Sequence, residues 1–173
     1  MAVKIEGRRI FLFGEIDEKA CRKVAFSIAR LGDSDKPIEL MINSDGGEIY
    51  HALGLYDIIR QSRSPIITIG VGQVMSSAVL ILASGDTRYI GKNCYLMVHD
   101  IFLEGLPDTK VSALRKDLNH LVDLRQRFFK LLAKHSKLEL KEWETRSGDN
   151  ADCFFDSMTA IKYGIADKLW PEK

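Results

Sequence analysis

Short apolar segments alternate with amphipathic ones along the first hundred residues of the chain. Runs rich in β-branched and aromatic residues, bounded by Gly, Pro, Asn or Asp, predict strands, and apolar positions recurring every three or four residues predict helices. On these criteria we expect strands over residues 8–14, 38–42, 66–71, 87–90 and 95–98. Helices are expected over residues 18–31, 48–61 and 75–83, the first of them capped by Asp17.

Strands and helices that alternate at this spacing are typical of parallel βαβ units. The junction of residues 70–75, Gly-Val-Gly-Gln-Val-Met, carries two of the three glycines of a dinucleotide-binding fingerprint. The third position is Met75, which is too bulky for the close helix–strand packing that a nucleotide site requires. We therefore interpret this segment as a tight strand-to-helix turn.

The last third of the chain has a different pattern. Residues 111–135 predict one long amphipathic helix, with apolar positions at Leu114, Leu118, Leu121, Leu124, Phe128 and Leu132. Shorter helices are expected over residues 138–145 and 157–163. No repeat, low-complexity tract or linker divides the sequence, so we expect one domain, and a helix this long often packs against another subunit.

Composition and charge exclude several classes of function. The 173 residues are 46% hydrophobic and 28% charged, as in a soluble globular domain. Lys and Arg total 25 against 24 Asp and Glu, which gives no electrostatic reason to expect nucleic acid or an anionic membrane as partner.

The apolar stretch of residues 77–84 is too short to span a bilayer, and the first residues do not resemble a signal peptide. Three scattered cysteines without Cys-x-x-Cys spacing indicate no metal site and a reducing compartment, by default the cytoplasm.

Ser76 is the first candidate for chemistry. It stands between a buried strand and an almost wholly apolar helix. A serine in this place usually caps the helix, but a helix N-terminus also favours negative charge on an alkoxide or oxyanion. The sequence has no G-x-S-x-G elbow, which argues against an α/β-hydrolase.

His99 and a glycine loop are the other candidates. His99 ends a predicted strand, at the edge where parallel sheets place their sites, whereas the remaining histidines, His51, His120 and His135, lie within predicted helices. The loop of residues 43–47, Asn-Ser-Asp-Gly-Gly, is either an ordinary turn or a segment that presents backbone N–H groups to a carbonyl oxygen or an anion. The residues alone leave both interpretations open.

Four segments, in this order, resemble motifs of the Clp protease family of serine peptidases. Residues 42–47 (I-N-S-D-G-G) are similar to the family's I-N-S-P-G-G, and residues 72–77 (G-Q-V-M-S-S) to its G-Q-A-A-S-M. Residues 97–99 (M-V-H) resemble M-I-H, and residues 160–167 (A-I-K-Y-G-I-A-D) resemble A-V-E-Y-G-L-V-D. The resemblance extends over residues 8–169.

The resemblance implies an α/β fold of stacked βαβ units, related to the crotonase fold, with a long projecting helix called the handle. The single domain of residues 1–173 would then consist of a head, about residues 1–108 and 150–173, and a handle region, about residues 109–149. The implied activity is hydrolysis of peptide bonds in peptides or unfolded proteins inside an oligomeric chamber.

The resemblance also implies a Ser-His-Asp triad that needs no metal and no cofactor. Ser76 would be the nucleophile, His99 the general base and Asp152 the acid that orients His99. Because the chain carries about two extra residues before this acid, Asp149 or Asn150 is the alternative third member. The backbone N–H groups of Gly47 and Ser77 would form the oxyanion hole.

Substrate contacts are implied for five residues near this triad, namely Asp45, Gly46, Asp100, Ile101 and Phe102. Two departures from the family pattern affect them. Asp45 replaces the proline of the glycine loop, and residues 100–107 replace the family's Gln-Pro and the glycine-rich segment after it.

The implied partners are further copies of the chain in a ring, with two stacked rings of seven as the family pattern. An ATP-driven AAA+ unfoldase is a further implied partner, although few residues precede the first predicted strand, so we expect the family's axial loops to be absent. Two alternatives remain: a catalytically silent ring subunit that pairs with an active one, and a crotonase-type enzyme acting on acyl-CoA thioesters.

Overall fold

One mixed sheet of eight strands organises the chain in the computed structural model, which describes residues 3–101, 110–148 and 152–171. The strands are β1 (Val3–Glu6), β2 (Arg9–Phe13), β3 (Ile38–Ser44), β4 (Ile66–Met75), β5 (Thr87–Ile90), β6 (Tyr95–Val98), β7 (Cys153–Asp156) and β8 (Lys168–Leu169). Their spatial order is β1-β2-β3-β4-β5-β8, with β6 paired to β4 and β7 paired to β6. The α/β class expected from the sequence is therefore confirmed.

Parallel pairing forms the centre of this sheet, as the βαβ pattern predicts. Strands β2 to β5 pair in parallel, and β6 and β8 join β4 and β5 in the same sense. Two edge pairs are antiparallel, β1 with β2 and β7 with β6. The sequence pattern does not predict β1, β7 or β8, three short strands that each pair with one other strand only.

Six helices lie within the described residues: α1 (Glu18–Leu31), α2 (Ile49–Arg60), α3 (Ser77–Ala83), α4 (Val111–Lys134), α5 (Leu140–Ser147) and α6 (Ser157–Tyr163). Asp17 caps α1 as expected, because its carboxylate accepts a hydrogen bond from the Ala20 N–H at 2.7 Å. All seven residues of α3 are buried. None of these helices combines the length and the apolar character that a membrane span needs.

The long helix α4 changes its surroundings along its length. Leu124, Phe128 and Leu132 are buried in the core, as their predicted position on one face requires. Nearer the N-terminus of the helix, Leu118 and Val122 are 51% and 52% exposed. The first part of α4 therefore carries apolar side chains that the described residues of the same chain do not cover.

Strand β4 is longer than predicted and divides its pairing between two partners. Residues 67–70 pair with β5, and residues 73–75 pair with β6. The interpretation of residues 70–75 as a tight turn is therefore wrong, because the chain continues as a strand to Met75. Gly72 makes this possible by adopting a φ of +66° close against the side chain of Asn43, where the register between β3 and β4 shifts. The extension brings the end of β4 beside β6.

The closing segment of residues 160–167 joins β8 to β5. Helix α6 ends at Gly164 in the left-handed conformation. Arg88 of β5 donates hydrogen bonds to the Gly164 carbonyl at 2.8 Å and to the Asp167 carboxylate at 2.6 Å. Burial alone would raise the pKa of Asp167, but the hydrogen bonds and charge of Arg88 lower it overall. This segment thus fixes an edge of the sheet.

Candidate active site

Ser76 lies at the junction between β4 and α3 in an unusual backbone conformation. Its φ of 54° makes it the one non-glycine residue with positive φ in the described part of the chain. Such a conformation costs about 1–3 kcal/mol and persists only where the surroundings enforce it. The Ser76 N–H donates to the Met97 carbonyl at 2.7 Å, and the Ser76 carbonyl accepts from the Val79 N–H at 3.0 Å. These two bonds hold the strained residue in place.

The Ser76 side chain does not cap helix α3. Ser76 occupies the position before the first helical residue, yet its hydroxyl makes no capping hydrogen bond. The usual role of a serine at a helix start is therefore not observed. Since the side chain is half-buried at the N-terminus of a buried helix, its oxygen lies where the helix dipole stabilises negative charge.

The glycine loop follows β3 and packs directly against this serine. Gly46 adopts a φ of +102°, and a Cβ at this position would lie 2.7 Å from the Ser76 Cβ and 2.9 Å from the Met75 carbonyl oxygen. Only a glycine therefore allows the loop to approach so closely. The Gly46 N–H donates to the Ser44 hydroxyl at 3.0 Å, which fixes the turn.

Gly47 is held between two parts of the chain. Its neighbours bond to Ile16: the Gly46 carbonyl accepts from the Ile16 N–H at 2.8 Å, and the Glu48 N–H donates to the Ile16 carbonyl at 2.9 Å. Gly47 is the central residue of this parallel bridge, so its own N–H and C=O point away from Ile16. The Gly47 carbonyl accepts a hydrogen bond from the Ser77 hydroxyl at 3.1 Å. The two proposed oxyanion-hole residues are thus in direct contact.

His99 follows β6 and is brought to the same edge of the sheet. Because Met75 pairs with Met97 in the parallel β4–β6 ladder, Ser76 and His99 both lie just beyond the carboxyl ends of neighbouring strands. His99 is half-buried, and its Nδ1 is hydrogen-bonded to the backbone carbonyl of Asp100. The sequence pattern does not indicate this contact.

Of the three candidates for the third triad residue, Asp152 lies within the described residues. Strand β7 runs antiparallel to β6, and the pairing ends with Val98 opposite Cys153; continuing this register by one residue, beyond the end of β7, would bring Asp152 opposite His99. Residues that face each other in this way carry their side chains on the same face of a sheet. The Asp152 side chain is exposed. The alternatives Asp149 and Asn150 lie outside the described residues.

The expected substrate contacts divide into two groups. Asp45 is exposed at the glycine loop and Gly46 is buried against Ser76. Asp100 and Ile101 are half-buried beyond β6, and Phe102 lies outside the described residues. The Asp100 carboxylate is not free, because Arg125 of α4 binds both of its oxygens at 2.9 Å.

Arg125 is a site neighbour that the sequence pattern does not identify. The residue stands on α4 next to Phe128 and Phe129, two of the buried side chains of that helix. Two features of the sequence point to such a pair. Arg125 stands beside the apolar face of its helix, and a carboxylate, Asp100, replaces the family's uncharged residue after the histidine.

The thiols are poor nucleophiles in this structure. Cys21 and Cys94 are buried, and burial raises the pKa of Cys94 to about 12. Burial, together with the charge of Asp17, raises the pKa of Cys21 to about 11. Burial also raises the pKa of Cys153. An electrophilic reagent at neutral pH therefore finds little thiolate to react with in the folded chain.

Comparison with known proteins gives one family. The family model described as Clp protease matches residues 2–173. The ATP-dependent Clp protease proteolytic subunit 2 of Treponema denticola is 28% identical over 168 residues, which cover 94% of this chain and 81% of the relative. The chloroplastic ATP-dependent Clp protease proteolytic subunit 3 of Arabidopsis thaliana is 30% identical over 168 residues, with 94% of this chain covered. The matched region is 52% of that relative, so the chain spans about half its length.

Proposed function

The chain belongs to the Clp protease family, and on this basis we propose that it is a serine endopeptidase subunit with Ser76 as its nucleophile. The observation that carries the proposal is the conformation of Ser76 at the end of a parallel strand. Its backbone is held at φ 54°, and its hydroxyl makes no capping hydrogen bond to α3. A serine needed only to start a helix would cap it and would require no strain.

The proposed reaction begins with attack of the Ser76 hydroxyl oxygen on the peptide carbonyl carbon. Nε2 of His99 accepts the serine proton and passes it to the leaving amine as the C–N bond breaks. The resulting acyl-enzyme is hydrolysed by water, which His99 activates in the same way. Each proton removed is thus returned, and the chain ends the cycle unchanged.

Negative charge develops on the carbonyl oxygen during each attack. We assign its stabilisation to the N–H groups of Gly47 and Ser77, aided by the N-terminus of α3. The directions of the bonds around Gly47 support this assignment, since its N–H points away from Ile16. The hydrogen bond from the Ser77 hydroxyl to the Gly47 carbonyl holds the two donors at a fixed spacing.

Asp152 is the proposed third member, and its register opposite His99 supports that role. Its carboxylate would orient the imidazole and stabilise the imidazolium formed during catalysis. Asp149 and Asn150 remain the alternatives. Substrate would contact Asp45 and Gly46 of the glycine loop and Asp100 and Ile101 after β6, and the proposed contact with Phe102 rests on the sequence alone.

The proposed assembly is a ring of identical subunits, with two stacked rings of seven as the family pattern. The exposed apolar side chains of Leu118 and Val122 on α4 support a contact between copies along this helix. An ATP-driven unfoldase is a proposed partner for protein substrates, and the cytoplasm is the proposed compartment. Light scattering of the purified chain measures the number of subunits in the assembly and so tests the proposed ring directly.

Labelling with a fluorophosphonate, read by intact-mass spectrometry, tests the function. We expect one adduct on the native chain and on Ser112→Ala, a control at an exposed serine of α4. We expect no adduct on Ser76→Ala. A folded oligomer that takes up no label, and that cleaves no peptide, would instead be a catalytically silent subunit.

A further inference from the structure

A cavity of about 550 Å³ lies at the edge of the sheet opposite to Ser76. Asp86 lines it, and its carboxylate accepts a hydrogen bond from the N–H of Ile66, the first residue of β4, at 2.8 Å. Ser76 follows the last residue of this ten-residue strand, which places it roughly 30 Å away. The cavity is therefore separate from the proposed active site, and its volume is in the range of about 300–1,000 Å³ that small-molecule sites have.

Three helices end around this cavity, and two arginines bind their terminal carbonyl groups. Nη1 of Arg60 donates to the Ser84 carbonyl, at the end of α3, at 3.0 Å. Nη1 of Arg88 donates to the carbonyls of His135, after α4, and Gly164, after α6, at 2.5 and 2.8 Å. Since helix C-termini carry partial negative charge, the arginines have a structural role at these ends.

Each of these arginines also has a carboxylate partner. Arg60 pairs with Asp86 at 3.0 Å, and Arg88 pairs with Asp167 at 2.6 Å. The four side chains all line the cavity. Because the two ion pairs are neutral, they do not account for any net charge of the lining.

Two lysines, Lys134 and Lys137, supply that net charge. Both line the cavity, and within the described residues neither ammonium group has a hydrogen bond or an ion pair. The Lys137 N–H donates to the Tyr163 carbonyl at 2.7 Å, and the Lys137 side chain lies against Gly164. The lining thus combines two neutral ion pairs with two free cations, an excess of two positive charges.

His135 is sensitive to this excess of positive charge. It lines the cavity, and its Nε2 is hydrogen-bonded to the Tyr56 hydroxyl at 2.7 Å. Burial lowers the pKa of His135, and the charges of Arg60, Lys134 and Arg88 lower it further, although two carboxylates line the same cavity. A negatively charged group bound there would act in the opposite direction.

We propose that this cavity binds a phosphate dianion, either the free ion or the monoester of a small polar molecule, between Lys134 and Lys137. Each ammonium group offers up to three donors to phosphate oxygens. A phosphate monoester carries a charge of about −1.5 to −2 at pH 7, which matches the excess positive charge of the lining. The proposal does not depend on the peptidase function.

The remaining lining favours a polar organic part over a nucleobase. The carboxylates of Asp86 and Asp167 are half-exposed and can accept hydrogen bonds from hydroxyl groups. Among the described residues, those that line the cavity include no Phe, Tyr or Trp on which a base would stack. We therefore expect a hydroxylated phosphate monoester to bind more tightly than a nucleotide.

Isothermal titration calorimetry of the full chain at pH 7.5 and low ionic strength tests the binding. The probe is glycerol 3-phosphate, and inorganic phosphate, AMP and glycerol are the comparisons. We expect glycerol 3-phosphate to bind more tightly than AMP, and glycerol not to bind. Equal affinities for glycerol 3-phosphate and inorganic phosphate would support the site and identify the free ion as its ligand.

Substitution of the two lysines tests the location. Lys134→Gln and Lys137→Gln should each weaken the binding of glycerol 3-phosphate about 10-fold, because each removes one charged hydrogen-bond donor. Lys130→Gln removes the same charge at an exposed residue one turn earlier on α4, outside the lining, and should keep the native affinity. Circular dichroism checks that every variant folds.

NMR titration of the histidine rings supplies a second measurement, independent of affinity. The chain has four histidines, and His135→Gln assigns the signal of interest. Glycerol 3-phosphate should raise the pKa of His135 in the native chain and leave it unchanged in the double lysine variant. His51, outside the lining, should keep its pKa in both.

Three results would overturn the proposal: no binding of any phosphate probe at millimolar concentration, native affinity in the double lysine variant, or binding that leaves the pKa of His135 unchanged. Failure of the peptidase function would be seen separately. A chain that binds glycerol 3-phosphate as expected but takes up no fluorophosphonate label would support the phosphate site and contradict only the peptidase activity.

Discussion

The Ser76 N–H donates to the Met97 carbonyl at 2.7 Å, and this bond joins the proposed nucleophile to the strand that carries the proposed base. The bond continues the β4–β6 ladder one step beyond the pairing of Met75 with Met97. The relative positions of Ser76 and His99 are therefore set by strand pairing, and the glycine loop has to fit against a fixed serine.

Gly46→Ala should abolish fluorophosphonate labelling of Ser76. The new methyl group would lie 2.7 Å from the Ser76 Cβ, at a φ of +102° that an alanine tolerates poorly. We expect a loss of stability of about 1–3 kcal/mol and displacement of the serine. Intact-mass labelling and urea unfolding measure the two effects.

Gly54→Ala is the matched control for that change. Gly54 lies within α2, and an added Cβ there meets nothing within 4 Å. The substitution should keep full labelling and raise the free energy of unfolding by up to about 1 kcal/mol. Equal labelling of both alanine variants would show that the close approach of Gly46 is unimportant for the site.

Asp152→Asn should slow peptide hydrolysis by about 10²- to 10⁴-fold, because the amide cannot stabilise the imidazolium of His99. Asp149→Asn should have little effect. Turnover of a fluorogenic peptide at saturating concentration distinguishes them. If only Asp149→Asn loses activity, the role of the third member belongs to Asp149 and the register opposite His99 is coincidental.

Local patterns predict the parts of the fold that depend on local physics. β5 and β6 occupy the predicted residues, since β-branched and apolar runs between turn residues favour strands wherever they pair. The cap of α1 was predictable because Asp17 and the Ala20 N–H are three residues apart. The order of the central strands followed from alternation with helices.

The features that the sequence pattern misses depend on distant partners. Gly70 and Gly72 favour a turn locally, but pairing with β6 extends β4 to Met75. Nothing local predicts a positive φ at Ser76, because serine rarely adopts it unless tertiary bonds enforce the conformation. Motif resemblance, rather than periodicity, identified Ser76 and His99 as partners.

The stability of the chain should fall as the pH is lowered through the range in which His135 titrates. Burial, followed by the positive charges of Arg60, Lys134 and Arg88, lowers the pKa of His135 below its ordinary value of 6.5. Between the folded and unfolded pKa values the unfolded chain binds more protons, so the free energy of unfolding decreases as the pH falls below about 6.5. It should level off below the folded pKa.

Urea unfolding between pH 7.5 and 5 measures this dependence. His135→Gln should reduce the pH slope, because the group that titrates differently in the two states is gone. The same change at the exposed His120 serves as control. A slope that is identical in His135→Gln and the native chain would assign the pH dependence to other groups.

Iodoacetamide at pH 8 should modify the folded chain slowly and at no more than one cysteine. The pKa of Cys94 is raised to about 12 and that of Cys21 to about 11, and both thiols are buried. Cys153 is half-buried and should react first. All three cysteines should react in urea. Rapid modification of Cys94 without urea would indicate opening of the chain around β6.

Ser77→Ala should lower the turnover of a peptide substrate while reducing the free energy of unfolding only slightly. The Ser77 hydroxyl donates to the Gly47 carbonyl at 3.1 Å and so links the two proposed oxyanion-hole residues, although it makes no contact with the oxyanion itself in the proposed reaction. Its loss should cost about 1 kcal/mol of stability. We expect kcat to fall about 10-fold with little change in KM, because donor spacing matters most in the transition state.

Ser84→Ala provides the comparison that separates catalysis from stability. Ser84 is as buried as Ser77, caps the other end of α3 and donates its hydroxyl to the Ile81 carbonyl at 2.7 Å. Removing this hydroxyl should cost a similar free energy of unfolding, but it leaves the Gly47 contact intact, so kcat should stay near the native value. Equal losses of kcat in the two variants would mean that the rigidity of α3, and not the spacing of Gly47 and Ser77, sets the rate.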